Sequence, residues 1–236
     1  RLLLLQALYP ELDIKNVSNS DDSELMQKAL KSSSNIVDIF HAGTAMRFLT
    51  AFFSAQEGRD VILTGSPRMQ ERPIQILVEA LQQLGADITY EKNHGYPPIK
   101  IKGKNLSKNK VTLKANVSSQ YISALLLIAS TLENGLELQL EGTITSVPYI
   151  KMTLVLLNEI GIETSFVENT IRVSPKSQEL KTKTLTVESD WSSASYFYSI
   201  VALSDLETEI KLSSYKQNSL QGDSVLAKIY TSFGVE

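Results

Sequence analysis

The most continuous apolar pattern in the chain is "GTAMRFLTAFFSAQ", Gly43 to Gln56, where Met46, Leu49 and Phe53 fall on one helical face and Ala45, Phe48 and Phe52 on the next. Only a narrow strip of Arg47, Thr50, Ala51 and Ser54 stays small or polar, so the pattern predicts a helix buried on nearly every side. That helix starts on a glycine and carries one arginine in its first turn. Helix starts have unpaired backbone N–H groups, and a glycine lets a ligand come close to them. An anion is the ligand such a place favours.

The pattern repeats. "SSQYISALLLIASTLENGLELQLEG" and "WSSASYFYSIVALSDLETEIKLSS" also run from a small polar start through an apolar helix and a short break into a strand. The starts at Gly43, Ser118 and Ser192 lie 75 and 74 residues apart. A second helix follows each, in "RPIQILVEALQQLGADI", "VPYIKMTLVLLNEIGIE" and "SLQGDSVLAKIYTSFGVE", with closing glycines Gly85, Gly161 and Gly234 spaced by 76 and 73. Pro73 and Pro148 near helix starts and glycines just past helix ends are the expected asymmetry. The period is longer than that of solenoid repeats.

The strands alternate apolar and polar residues, as in "IKIK" (99–102), "LELQLE" (136–141) and "TLTV" (184–187), so one face of each sheet meets water. Helices apolar nearly all round then belong in the middle, with sheets outside and helix starts converging. Periodicity alone leaves ordinary α+β layers open as the alternative.

Composition narrows the partners. A chain of 236 residues, 42% hydrophobic and 21% charged, suits one or two globular domains with a real core. It has no cysteine and two histidines, which excludes disulfides and thiolate metal sites and leaves no metal site to expect; a reducing cytoplasmic setting fits. A net charge of −3 argues against bulk electrostatic binding of nucleic acid, while local arginines can still hold a small anion. The opening "RLLLLQALYP" breaks at Gln6 with no cleavage site after it, so it is not read as a signal peptide, and no stretch is long enough to span a membrane. The chain opens without methionine inside a helical pattern, and only Val235 and Glu236 follow Gly234 where earlier repeats continue into a strand and hairpin. The sequence therefore reads as a piece of a longer protein.

Candidate chemistry gathers at the helix starts: Arg47, then Arg68 and Arg72 in "GSPRMQERP", then Ser118, Ser119 and Gln120, then Ser146 and Tyr149 in "SVPYI". Arginine forks and hydroxyls beside free N–H groups suit phosphate and carboxylate. Each has a plainer reading, since serines at helix starts are commonly caps and loop arginines are commonly solvated. "GSPRM" is not a P-loop, because no Gly-Lys-Ser/Thr follows.

These stretches, together with "YPPIKI", "ESDWSSASYFYS" and "QNSLQGD", resemble in order and spacing the 5-enolpyruvylshikimate-3-phosphate synthase family. The resemblance implies an α/β (α+β) chain of the inverse α/β enolpyruvyl transferase fold, built of repeated βαβαββ units with buried helices and outward-facing mixed sheets. It implies residues 1–187 as a first domain of three units, the first truncated, and 188–236 as the incomplete start of a second. The implied reaction joins the enolpyruvyl group of phosphoenolpyruvate to the 5-hydroxyl of shikimate 3-phosphate, a step of aromatic amino acid biosynthesis that glyphosate blocks.

By motif, Ser118, Ser119 and Ser146 match the groups that hold the shikimate phosphate, with Gln120 and Tyr149 beside the ring and Arg1 on the carboxylate. Gly43, Arg68 and Gln120 match the groups at phosphoenolpyruvate, and Arg47 and Asp190 match charges on the two sides of a hinge, expected to be hydrated when the domains are open. His41 and Phe48 stand where the family often has asparagine and proline, and carry no assigned role. The implied partners are the two small anions, with no cofactor, no nucleic acid, no membrane and a monomeric full-length protein. The family's lysine before Arg1 and the acid–base groups of its second domain lie outside these residues, so no catalytic residue is assigned and the chain alone is expected to be inactive. The rivals are a non-catalytic phosphate-binding module and the enolpyruvyl transferase acting on UDP-N-acetylglucosamine. The latter typically has a cysteine where Arg68 stands.

Overall fold

The computed structural model describes residues 1–144, 147–176, 180, 184–205 and 207–235. In chain order the elements are α1 (Leu2–Leu8), β1 (Asp13–Lys15), α2 (Asp21–Lys31), β2 (Ile36–Asp38), α3 (Gly43–Ser54), β3 (Asp60–Thr64), α4 (Gln75–Gln83), β4 (Asp87–Tyr90), β5 (Ile99–Lys102) and β6 (Lys110–Lys114). They continue with α5 (Ser119–Ala129), β7 (Leu136–Glu141), α6 (Val147–Glu159), β8 (Thr164–Val167), β9 (Thr170–Val173), β10 (Thr184–Thr186), α7 (Trp191–Ala202) and α8 (Leu226–Thr231).

Two units share one topology. β2-α3-β3-α4-β4-β5 folds its strands in the order β2-β3-β5-β4, and β6-α5-β7-α6-β8-β9 in the order β6-β7-β9-β8. In both, the first pair is parallel and the rest antiparallel. β10 returns to pair in parallel with β1, setting Leu185 beside Ile14.

The layers are inverted. α3 packs on α5, and every residue of α3 except Thr44 is buried, as is α5 from Tyr121 to Ala129. β5 and β6 alternate strictly between buried and exposed, turning Lys100, Lys102, Lys110 and Lys114 to water. Hydroxyls inside the helical layer are satisfied locally: Thr50 donates to the Met46 carbonyl at 2.7 Å and Ser54 to that of Thr50 at 2.6 Å. Gly85, Gly161 and Gly234 end their helices at φ of 100°, 96° and 77°, a left-handed conformation that favours glycine.

The third unit departs from the pattern. α7 buries only Trp191 and Ala194, leaving Tyr196 73% and Leu203 90% exposed, because no helix among the described residues covers it as α3 and α5 cover each other. "ETEIKLS" (207–213) forms no strand. Its counterparts β3 and β7 pair with the first strand of their own unit, whereas the partner of β10 is β1. Asp190, not Ser192, caps α7, accepting from the N–H groups of Ser192 and Ser193 at 3.1 and 3.2 Å.

One core runs from Leu4 to Leu185, and a second gathers Trp191, Ala194 and Leu226 with Tyr198, Leu212, Tyr215 and Tyr230. Glu188 fastens the second. Its carboxylate accepts from Trp191 Nε1 at 2.9 Å, Lys216 N at 3.0 Å and Ser219 Oγ at 3.0 Å. Burial raises its pKa, but the donated hydrogen bonds outweigh burial and hold it below the ordinary 4.5. A lowered folded-state pKa gives stabilisation that is complete above the unfolded value and lost as pH falls through the folded one. Trp191 is the single tryptophan, so its emission should change as pH drops below about 4.5 and Glu188→Gln should remove that step. An identical acid step in both proteins would show another origin.

Candidate functional site

The first turns of α3 and α5 meet. Ser118 caps α5, its Oγ accepting from the Gln120 N–H at 3.3 Å, and the Gln120 side-chain amide donates to Thr44 Oγ1 at 3.1 Å in the first turn of α3. Ser118 is exposed, while Ser119 and Gln120 are half-buried at the surface where the two helix starts open. Ser146 lies outside the described residues.

The loop from Gly65 to Pro73 brings the arginines. Arg68 precedes a short 3-10 turn, Met69–Glu71, and its side chain is exposed. Arg72 lies over the start of α3: a Cβ built on Gly43 would run into its guanidinium, meeting Cζ at 2.7 Å. The glycine is therefore what allows a cation to sit against this helix start. Arg72 is among the candidate arginines of the sequence, but the resemblance gives it no role.

Arg47 anchors this arrangement from below. Its Nη1 donates to the Gly43 carbonyl at 3.0 Å and its Nη2 to the Pro73 carbonyl at 3.2 Å, with Met69 Sδ 3.8 Å away. It is 5% exposed. Burial pulls its pKa below the ordinary value, the Tyr121 phenol opposes that, and Arg72 adds like-charge repulsion. The expectation of a hydrated Arg47 does not hold here: Arg47 is buried and donates to carbonyls of its own lobe, while Asp190 caps α7. To reach Asp190 it would have to give up both of these charge-assisted hydrogen bonds.

Arg1 joins from the other side. Its Nε donates to Thr153 Oγ1 at 2.9 Å and its Nη2 lies 3.4 Å from Ser123 Oγ, while its guanidinium stacks 5.8 Å from the centre of the Phe48 ring. Thr153 Oγ1 also donates to the Tyr149 carbonyl at 3.2 Å, tying Arg1 to the exposed start of α6. Burial lowers the pKa of the Arg1 guanidinium, and the Tyr149 phenol partly opposes that. Phe48, which had no assigned role, thus supports Arg1.

Among the described residues, none of Arg1, Arg47, Arg68 and Arg72 forms an ion pair. Arg72 and Arg47 thus bring guanidiniums without carboxylate partners to the start of α3, the kind of place that favours an anion. A cleft of about 610 Å³ passes along Arg1 and Tyr149 toward Glu188, Asp190 and Lys216. It reaches only one end of the predicted site, since Gly43, Arg68 and Ser118 do not line it. Among the described residues no three His, Asp or Glu cluster as metal ligands, and no helix is long and apolar enough to cross a membrane.

The fold is an inverted α/β arrangement in which the starts of two buried helices converge. Residues 2–236 match the family model described as EPSP synthase (3-phosphoshikimate 1-carboxyvinyltransferase), and the chain belongs to that family. Curated relatives named 3-phosphoshikimate 1-carboxyvinyltransferase include one from Bacteroides fragilis, 48% identical over all of this chain and 57% of its own length. Another, from Haemophilus influenzae, is 36% identical over all of this chain and 61% of its own length. The chain thus spans less than two thirds of these relatives. A solved EPSP synthase from Acinetobacter baumannii superposes with a TM-score of 0.69 at 20% identity, covering 86% of this chain and 52% of that one, which shows the fold.

Proposed function

We propose that the full-length protein transfers the enolpyruvyl group of phosphoenolpyruvate to the 5-hydroxyl of shikimate 3-phosphate. The hydroxyl gives its proton to a base as its oxygen bonds to C2 of phosphoenolpyruvate and an acid protonates C3, giving a tetrahedral intermediate. C3 then loses a proton to a base as the C2–O bond to phosphate breaks, leaving the enol ether and inorganic phosphate. No electron is gained or lost in this sequence.

In this reading the α5 start, with Ser118 and Ser119, and Ser146 hold the phosphate of shikimate 3-phosphate, Arg1 its carboxylate, and Gln120 and Tyr149 its ring. Phosphoenolpyruvate lies against Gly43, Gln120 and Arg68, with Arg72 beside it. The observation that carries the reading is the Gln120–Thr44 bond, because it joins the two anion-favouring helix starts into one surface. These residues supply preorganised positive charge for both substrates and for the anionic intermediate. The proton transfers need an acid and a base, roles this reading assigns to none of the residues named above, so the chain alone is expected to bind without turnover.

We further place the domain boundary between 187 and 188, where one core gives way to the other, and read the full-length protein as a cytoplasmic monomer. Phosphate release by the full-length protein tests the function. It is expected with shikimate 3-phosphate as acceptor and absent with UDP-N-acetylglucosamine. Release with the nucleotide sugar alone, or binding of shikimate 3-phosphate without turnover, would favour the corresponding rival.

A further inference from the structure

Tyr121 looks from the sequence like one more core residue of α5, and it is 7% exposed. Its hydroxyl, however, donates to the Pro73 carbonyl at 2.8 Å. That carbonyl also takes the Arg47 Nη2 bond at 3.2 Å, and the phenol interacts directly with the Arg47 guanidinium. Two donors, one from α3 and one from α5, thus close on the last peptide of the loop that carries Arg68 and Arg72.

We infer that Tyr121 is a positioning residue for phosphoenolpyruvate, holding the Arg68–Arg72 loop against the serine-capped start of α5. This rests on the reading of the site given above and deepens it. Tyr121 lies two positions after Ser119, and Pro73 follows Arg72 directly, so a fixed Pro73 carbonyl fixes where the Arg72 fork can reach. The Gln120–Thr44 bond ties the same turn of α5 to α3, so the loop, α3 and α5 are held as a triangle with Tyr121 on its loop side. Filling the α5 start with one anion orders the turn that carries Tyr121, and the loop arginines gain from that order when they take the second anion.

Removing only the hydroxyl isolates this role. In Tyr121→Phe the ring stays in the core and the Pro73 carbonyl keeps its Arg47 donor, so no buried acceptor is orphaned and the fold should survive. In the full-length protein the variant should raise the phosphoenolpyruvate KM about five- to tenfold while shifting the Kd of shikimate 3-phosphate alone by less than about twofold. Amide hydrogen exchange over residues 66–73 should quicken, with α5 unchanged. Equal changes for both substrates, or an unchanged phosphoenolpyruvate KM with faster loop exchange, would overturn the positioning role. Wild-type titrations run alongside separate the two levels: wild-type protein that binds neither substrate overturns the site reading and this inference with it, whereas normal wild-type binding with an unaltered variant overturns Tyr121 alone.

Discussion

Arg68→Ala in the full-length protein is expected to raise the phosphoenolpyruvate KM roughly tenfold or more while leaving the KM for shikimate 3-phosphate within about twofold, as for loss of one charge-assisted contact. The asymmetry follows from the loop. Arg68 is exposed at the start of a 3-10 turn, and among the described residues its side chain has no hydrogen-bond or ion-pair partner, so truncating it costs the fold little. The serine-capped start of α5 is built from other residues and is left intact. Steady-state kinetics with each substrate varied in turn decides the matter. Equal losses for both substrates would remove Arg68 from the phosphoenolpyruvate side.

Gly43→Ala should have the second large effect. The added methyl would strike the Arg72 guanidinium, which is the far end of a flexible side chain and can swing away, while the backbone at Gly43 is already helical. Alanine is the better helix former by about 1 kcal/mol in a helix interior, so the melting temperature should hold within a few degrees. Phosphoenolpyruvate and glyphosate should both bind roughly tenfold or more weakly, because the methyl fills the space beside the helix N–H groups and displaces the cation over them. A sharp fall in melting temperature with unchanged inhibitor affinity would instead make Gly43 a purely structural glycine.

Much of this architecture is written in short-range pattern. Alternation in "IKIK" and "LELQLE" gives the outward sheet faces, the closing glycines Gly85 and Gly161 take the left-handed conformation, and the apolar girth of α3 and α5 buries both. What the sequence hides is long-range. Arg47 reads as a surface charge because nothing local reveals that the Gly43 and Pro73 carbonyls will receive it. Tyr121 reads as core because its ring is core; only the fold brings Pro73 to its hydroxyl. Arg72 and Arg68 are indistinguishable in "GSPRMQERP", yet one lies over Gly43 and the other points to water. In "ESDWSS" both Asp190 and Ser192 are good caps, and the backbone settles on the aspartate. The strand expected in "ETEIKLS" fails because strand formation depends on a partner, and β10 has already found β1.

The central claim is that the starts of α3 and α5 form one anion site. The most direct test is titration of the isotope-labelled 236-residue chain with shikimate 3-phosphate, followed by backbone amide shifts. The account predicts saturable shifts at Ser119, Gln120 and Tyr121, with smaller ones at Thr44 and Tyr149, and an affinity in the high micromolar to millimolar range. Shifts confined to the lysine-bearing outer faces of β5 and β6, or none at the α5 start at saturating ligand, would contradict it.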